Sequence, residues 1–332
     1  MKTARYYGIK DIRCEELPIP NCGEKDVLIK VAYAGICGSD LHIYKKGMFI
    51  QNIPETMGHE FSGTVVKTGS KVHSLQAGDR VTANPMVTCG NCIACRTGHR
   101  GSCETLGFIG EVRPGCFAEY IALPQEDVIK APPDIDLKKL ALAEPLAVAL
   151  NICRQAKPAP TDKVLIVGPG PIGLLTALAL KNVCGLENPT ILGRSPARLS
   201  IAKALGMKTT TQLGDDSYFD LIIEAAGNET ALSTALAHAL PGGKICVVSI
   251  FEDDFIFDIN TIVAKQLSII GCNVYETRHI RESAKLLADG IIDPSPLVTD
   301  TYDLADCRDA FAALCSKDKK ACKILFQMED IK

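Results

Sequence analysis

The chain has 332 residues, 47% of them hydrophobic and 23% charged, which is long enough for two ordinary globular domains. Its net charge of −3 and its pI of about 6.1 give no electrostatic basis for binding nucleic acid or an anionic membrane, so neither is expected as a partner. The first residues lack the apolar core of a secretion signal, and 15 cysteines, an odd number, argue against a disulfide-stapled secreted protein, so a cytoplasmic protein is expected.

The amino-terminal part of the chain is predicted to be rich in β-strands. Alternating or β-branched segments, each bounded by Gly or Pro, predict strands at 27–35, 60–69 and 78–85. The segment that follows, 137–156, is apolar at helical spacing and predicts a helix interrupted at Pro145.

After a linker at 157–162, short β-rich runs alternate with helical segments as far as about residue 276. This alternation predicts right-handed βαβ units and a doubly wound parallel sheet, which is the α/β (Rossmann) fold class. The remaining residues predict two helices and a final strand, KILFQ, which need not belong to that sheet.

Four cysteines are concentrated in a predicted lobe at 86–105. They follow the pattern C-x2-C-x2-C-x7-C and are Cys89, Cys92, Cys95 and Cys103. Four thiolates at this spacing can complete a tetrahedral zinc shell with no open position, so a structural zinc site is predicted. An iron–sulfur cluster is the rival interpretation, but its bacterial motif has three residues before the fourth cysteine and Pro after it, whereas here the gap is seven and Glu104 follows.

A glycine motif directly follows the predicted strand KVLIV and directly precedes a helix. Gly168, Gly170 and Gly173 form GPGPIG, with Pro171 and Ile172 between the last two. In this context the first glycine permits a tight turn, the second lets a pyrophosphate approach the backbone, and the third allows close packing of helix on strand. Pro171 suits the first helical turn, whose free N–H groups face the anion, so the motif predicts a dinucleotide site.

The end of the second strand of this unit lacks the acidic residue with which NAD-preferring sites bind the ribose hydroxyls. Gly193, Arg194 and Ser195 stand there instead, with Ser195 as a predicted helix N-cap and Arg198 one turn later. Two guanidiniums beside a helix N-terminus favour a 2′-phosphate, so NADP is predicted over NAD. The alternative is that both arginines are solvated surface residues.

A second set of metal-ligating residue types lies away from the four cysteines. Cys37, His59 and Glu60 offer thiolate, imidazole and carboxylate, a mixed set typical of open zinc sites. Glu144 is charged within an apolar run, and such residues are rarely buried without a partner or a metal. Because adjacent side chains diverge on a straight strand, His59 and Glu60 can reach one ion only if the chain turns there.

These residues belong to segments that resemble the zinc-dependent medium-chain dehydrogenases in order along nearly the whole chain. The segments are GICGSDLHIY, GHEFSG, AGDRV, NP…CGNCIAC, PGCFAEY, EPLAVAL and GPGPIGLL. GHE followed by EPLAV is similar to the sorbitol, butanediol and threonine dehydrogenase branch, and GRSPAR resembles its NADP-linked ketose reductases. The resemblance implies a GroES-like β-rich catalytic domain at 1–150, a Rossmann domain at 151–280, and a segment at 281–332 that returns to the catalytic domain.

The resemblance also implies roles for single residues. Cys37 and His59 would bind a catalytic zinc, with Glu60 and Glu144 as exchangeable carboxylate positions. Glu144 could instead hydrogen-bond a zinc-bound water. The implied protein holds two zinc ions per chain and NADP, with NAD as the less favoured cofactor, and assembles as a dimer or tetramer.

The implied reaction is hydride transfer between a secondary alcohol, either a polyol or a sugar-derived alcohol, and NADP, or reduction of the matching ketone. Ser39 would take the proton of the alcohol and pass it on through His42 or the cofactor hydroxyls, although His42 could equally be a surface histidine. Two alternatives stay open. The same fold could act on butanediol, a sugar phosphate or an aldonate with NAD, or the protein could be a non-catalytic dinucleotide sensor, which would need no open metal site.

Overall fold

The structure is a computed structural model, which describes residues 1–187, 189–316, 318 and 320–328. These residues form two compact units. The first consists of Met1–Glu144 with the described residues of Glu276–Lys317 and of Lys323–Lys332, and the second consists of Pro145–Tyr275 and Asp318–Cys322. The first unit is therefore assembled from segments on both sides of Pro145–Tyr275 along the chain.

Eighteen strands are present in the described residues. In chain order they are β1 (Lys2–Gly8), β2 (Asp11–Glu16), β3 (Asp26–Gly35), β4 (Glu55–Thr56), β5 (Glu60–Thr68), β6 (Arg80–Ala83), β7 (Met86–Val87), β8 (Gly107–Phe108), β9 (Tyr120–Pro124), β10 (Val128–Lys130), β11 (Val164–Val167), β12 (Thr190–Leu192), β13 (Lys208–Thr210), β14 (Phe219–Glu224), β15 (Ala239–Val247), β16 (Ser268–Gly271), β17 (Val298–Asp303) and β18 (Lys323–Gln327).

Ten α-helices accompany them in the same part of the chain. They are α1 (Gly38–Lys46), α2 (Ile93–Arg96), α3 (Leu137–Leu140), α4 (Ala143–Ala156), α5 (Pro171–Asn182), α6 (Pro196–Ala204), α7 (Glu229–His238), α8 (Asn260–Lys265), α9 (Thr277–Ala288) and α10 (Cys307–Cys315). Short 3-10 turns lie at Arg100–Ser102, Ser295–Leu297 and Leu304–Asp306. None of the described helices has the length and apolar character needed to cross a bilayer.

The first unit is β-rich, as the sequence predicts. Its main sheet has the order β10-β6-β5-β3-β18-β17, and β9 also pairs with β3. Strand β3 lies inside this sheet because its run DVLIKVAYAG is apolar on both faces. Its last residue, Gly35, lies opposite Glu60 on one side and Leu325 on the other, so the end of β3 draws together three distant parts of the chain.

The second unit confirms the predicted doubly wound α/β fold. Its sheet has the order β13-β12-β11-β14-β15-β16, and every neighbouring pair is parallel. The central strands are apolar without alternation, with Leu165, Ile222 and Ile245 fully buried, because helices cover both faces of such a sheet. Strand β13 and helix α8 were not predicted, since three and six residues are too few to show a period.

The predicted helix break at Pro145 is wrong. Helix α3 ends at Leu140 and α4 begins at Ala143, so Pro145 lies in the first turn of α4, where its missing N–H leaves no bond unmade. The two units also divide at Glu144 and Tyr275, a few residues earlier than the predicted limits at 150 and 280, because nearly all of α4 packs with the second unit.

Candidate active site and metal centres

The first candidate metal centre lies just beyond the end of β3. Ligand atoms of Cys37, His59 and Glu60 lie within 4.8 Å of one another. His59 immediately precedes β5, and Gly58, with a φ of +92°, turns the chain so that two consecutive side chains serve one site. His59 and Glu60 are 5% and 1% exposed, so a thiol, an imidazole and a carboxylate meet in a nearly dry environment that suits a zinc ion.

Asp40 organises this centre, although the sequence reasoning did not single it out. Its Oδ2 accepts a 2.8 Å hydrogen bond from the Cys37 backbone N–H at the start of α1, and its Oδ1 lies 4.0 Å from His59 Nδ1. Burial by itself lowers the pKa of His59, but Cys37, Asp40 and Glu144 together raise it well above its usual value. The surroundings of His59 therefore favour positive charge, which a bound cation would supply.

Lys323 is the second residue of the centre that sequence reasoning missed. It is 1% exposed, its Nζ forms an ion pair with Glu60 Oε2, and it donates a 2.9 Å hydrogen bond to the carbonyl of Ile36. Burial lowers the pKa of Lys323, but Glu60 and Cys37 outweigh it and hold the pKa above the usual value. Gly35 leaves room for the pair, since a Cβ there would lie 3.1 Å from Lys323 Cε and would collide with the Glu60 carboxylate.

The other predicted catalytic residues lie nearby in the same unit. Glu144, 4% exposed, lies in the first turn of α4 and interacts electrostatically with both His59 and Lys323, but it is outside the group of ligand atoms within 4.8 Å. Ser39 and His42, both half-buried, are three residues apart on α1, a spacing that places side chains on one helical face.

Glu111 is a further buried carboxylate beside the centre. It is 6% exposed, and no Lys or Arg of the described residues pairs with it. Burial raises the pKa of Glu111 to about 7, with His59 opposing and Asp40 adding to the shift. The preceding Phe108 lies against His59, with ring centroids 5.5 Å apart, so the loop that carries Glu111 borders the ligand cluster.

The four cysteines of the predicted lobe converge on one point. Their sulfur atoms all lie within 4.8 Å, with Cys89 3.9 Å from Cys95 and 3.6 Å from Cys103. A tetrahedral zinc with Zn–S bonds of about 2.3 Å needs sulfurs about 3.8 Å apart, so the spacing fits. Backbone N–H groups point at the sulfurs, and the one from Cys89 is the largest factor lowering the pKa of Cys103 to about 6.

The glycine motif lies between β11 and α5. Gly168 has a φ of +117°, and a Cβ on Gly173 would collide with the Gly168 carbonyl, whereas the space in front of Gly170 is open for 4 Å. Gly170 is the N-cap of α5 and Pro171 its first residue, followed by Ile172. The free N–H groups of this turn and the space at Gly170 form a cradle that suits a pyrophosphate.

The predicted phosphate clamp lies after β12. Gly193 packs against Pro169, and Ser195 caps α6 by accepting a hydrogen bond from the Arg198 N–H. Arg194 is exposed, whereas Arg198 donates from Nε and Nη2 to the carbonyl of Ala321 at 2.9 and 2.7 Å. Arg198 thus has a structural role within the unit, which leaves Arg194 as the more available cation.

Two family models match the chain, the alcohol dehydrogenase GroES-like domain over residues 23–133 and the zinc-binding dehydrogenase over residues 171–289. Sorbitol dehydrogenase of Bacillus subtilis (strain 168) is 32% identical over 342 residues, which cover 98% of this chain and 96% of that protein.

Solved structures agree with these matches. A structure of 2R,3R-butanediol dehydrogenase from Bacillus subtilis superposes with a TM-score of 0.89 at 34% identity, covering 98% of this chain and 99% of that one. A structure described as a short chain alcohol dehydrogenase, rspB, from E. coli CFT073, complexed with NADH, has a TM-score of 0.91 at 30% identity and the same coverage.

Proposed function

The chain belongs to the zinc-dependent medium-chain alcohol dehydrogenases, and from that premise we propose that it transfers a hydride between a secondary alcohol and NADP. The alcohol is a polyol or a sugar-derived alcohol, and in reverse the enzyme reduces the matching ketone. The convergence of Cys37, His59 and Glu60 carries the proposal, since this reaction uses a zinc site with mixed ligands and an open position for the alcohol oxygen. The relatives named as sorbitol and butanediol dehydrogenases support a substrate with several hydroxyls.

Cys37 and His59 would hold the catalytic zinc, with Glu60 and Glu144 as exchangeable carboxylate positions. When bound, zinc supplies Lewis-acid polarisation of the alcohol oxygen, which lowers the pKa of the hydroxyl. Asp40 holds the Cys37 end of α1 in place through its 2.8 Å bond. Lys323 neutralises the Glu60 carboxylate whenever that group is not on the ion.

The proton of the alcohol would leave through α1. Ser39 would accept it and His42, one turn further along the same helix, would pass it to solvent. The imidazole suits this step because its two ring nitrogens can take up one proton and release another. The four-cysteine lobe would hold a second, closed zinc that takes no part in the reaction.

NADP is proposed over NAD because β12 ends without an acidic residue and Arg194 is exposed there. A charge-assisted hydrogen bond of about 1.5–3 kcal/mol between Arg194 and the 2′-phosphate would change cofactor affinity by about ten- to a hundredfold. We also expect a cytoplasmic homo-oligomer, a dimer or tetramer, which light scattering would distinguish from a monomer.

The test measures kcat/KM for a panel of polyols, diols, aldonates and sugar phosphates with both cofactors, using zinc-loaded protein. We expect NADP-dependent oxidation of polyols or diols that is lost in Cys37→Ala, together with a loss of NADP preference in Arg194→Asp. A wild-type preference for NAD would refute the cofactor assignment. Unchanged alcohol oxidation in Cys37→Ala would refute the catalytic zinc site.

A further inference from the structure

We propose that Glu111 is a specificity-determining residue whose carboxylate binds an ammonium group on the substrate, so that amino alcohols are preferred and anionic alcohols are rejected. The proposal rests on the proposed alcohol dehydrogenase function and narrows its substrate class. It assigns to Glu111 a role in substrate binding that is separate from holding the metal.

The first observation is that no lysine or arginine of the described residues pairs with this carboxylate. Glu111 is 6% exposed, and its carboxylate is hydrogen-bonded by the Phe108 backbone, but no Lys or Arg of the described residues forms an ion pair with it, which is unusual for so buried an acid. By contrast Glu60, which is 1% exposed, is neutralised by Lys323. Burying a carboxylate without a cation costs folding free energy. A binding site can retain that cost if the ligand supplies the cation when it binds.

The second observation is the position of the residue. The Glu111 backbone N–H donates to the Phe108 carbonyl at 3.1 Å, and its own carbonyl accepts from Gln51 at 3.0 Å, so both backbone groups are fixed. The ring of Phe108 lies against His59. The backbone that carries the side chain of Glu111 is therefore fixed beside the ligand cluster, and the charged groups that act on the Glu111 pKa are His59 and Asp40.

The third observation is the charge balance around the centre. Four carboxylates, each 6% exposed or less, interact with His59 or with one another, and they are Asp40, Glu60, Glu111 and Glu144. These four acidic groups outnumber the two basic groups beside them, Lys323 and His59, whose pKa values are both raised. The remaining negative field attracts an ammonium group and repels a carboxylate or phosphate.

The experiment compares four small secondary alcohols that differ in one substituent: butan-2-ol, butane-2,3-diol, 3-aminobutan-2-ol and 3-hydroxybutanoate. Measurements are made below the pKa of the amine with the zinc-loaded protein. We expect kcat/KM to be at least about tenfold higher for the amino alcohol than for butan-2-ol, and lowest for the hydroxy acid. Preference for 3-hydroxybutanoate would overturn the proposal.

Glu111→Gln keeps the size of the side chain and removes its charge, and Glu126→Gln, at an exposed position of the same unit, is the matched control. In E111Q the ratio of kcat/KM for the amino alcohol to kcat/KM for butan-2-ol should fall at least about tenfold, whereas E126Q should keep the wild-type ratio. An equal loss for all four alcohols would show that Glu111 only supports the turn, and would overturn the proposal. If E111Q does not fold, the proposal is tested by the order of kcat/KM among the four alcohols in the wild type and in E111D, which keeps the charge.

A binding measurement separates recognition from turnover. Calorimetric titration of 3-aminobutan-2-ol into the enzyme–NADPH complex, where no hydride acceptor is present, should give a Kd at least about tenfold weaker in E111Q than in wild type. An unchanged Kd would overturn the proposal. Oxidation of the four alcohols without preference would sink this inference alone, whereas no oxidation of any alcohol with either cofactor would sink the proposed function and this inference with it.

Discussion

Replacing Lys323 by Met should destabilise the first unit strongly, because it leaves the Glu60 carboxylate buried without its cation. The Lys323 and Glu60 side chains are 2% and 1% exposed, and the Lys323 Nζ also donates to the Ile36 carbonyl. Breaking a buried pair by removing one partner costs about 3–5 kcal/mol. For a unit of this size the loss corresponds to a fall in Tm on the order of 10 °C.

Two controls separate charge from packing. In the double variant Lys323→Met with Glu60→Gln neither charge of the pair remains, so most of the lost stability should return. Lys130 also forms an ion pair, with Asp79, but its side chain is 52% exposed. Lys130→Met is therefore the control for losing an exposed lysine, and it should cost less than about 1 kcal/mol of stability.

Calorimetry or circular dichroism on metal-free protein measures these changes, since the chain has no Trp to report on unfolding by fluorescence. Added zinc should restore part of the Tm of K323M, because the ion supplies the charge that Glu60 has lost. The reasoning fails if K323M melts within about 2 °C of wild type, or if the double variant is as unstable as the single one.

Cys95→Ser should lower the zinc content by about one ion per chain and lower Tm, while the folded fraction keeps its cofactor preference; loss of zinc with full stability would contradict a structural role. Gly170→Ala should keep the wild-type Tm but weaken cofactor binding at least about tenfold, because the added methyl fills the open cradle. Gly173→Ala should instead cost about 1–3 kcal/mol of stability, since its Cβ would meet the Gly168 carbonyl. Thermal melts and cofactor titrations of the two glycine variants test both assignments, and equal effects on Tm and on cofactor affinity would contradict them.

Local pattern was sufficient to predict most of the architecture. Strands β3, β5 and β6 and the alternating elements of the second unit follow from apolar period and turn residues, and the parallel sheet follows from their order. The predicted helix break near α4 was misplaced because Pro145 was interpreted as a helix interruption, although proline is also favoured in the first turn of a helix.

In the candidate site, too, residues marked by their type or spacing could be predicted, whereas residues placed by distant parts of the chain could not. Cys37, His59 and Glu60 are recognisable by residue type, and Asp40 could have been found as an acid three residues after the cysteine that begins a helix. Lys323 leaves no such signal, because its burial depends on the pairing of β18 with β3, and Glu111 leaves none because only the folded loop shows that it has no cation.

The pairing of β18 with β3 also sets an order of assembly. Ile36 and Lys323, which meet at the metal centre, are separated by 287 positions, and the entire second unit is synthesised between them. On the ribosome the second unit can fold while the first still waits for its last strand, since domains fold as units and distant pairings form slowly. A nascent chain therefore carries Cys37 and His59 long before the cation that balances Glu60 emerges, and the centre reaches its final charge only after the whole second unit has been synthesised.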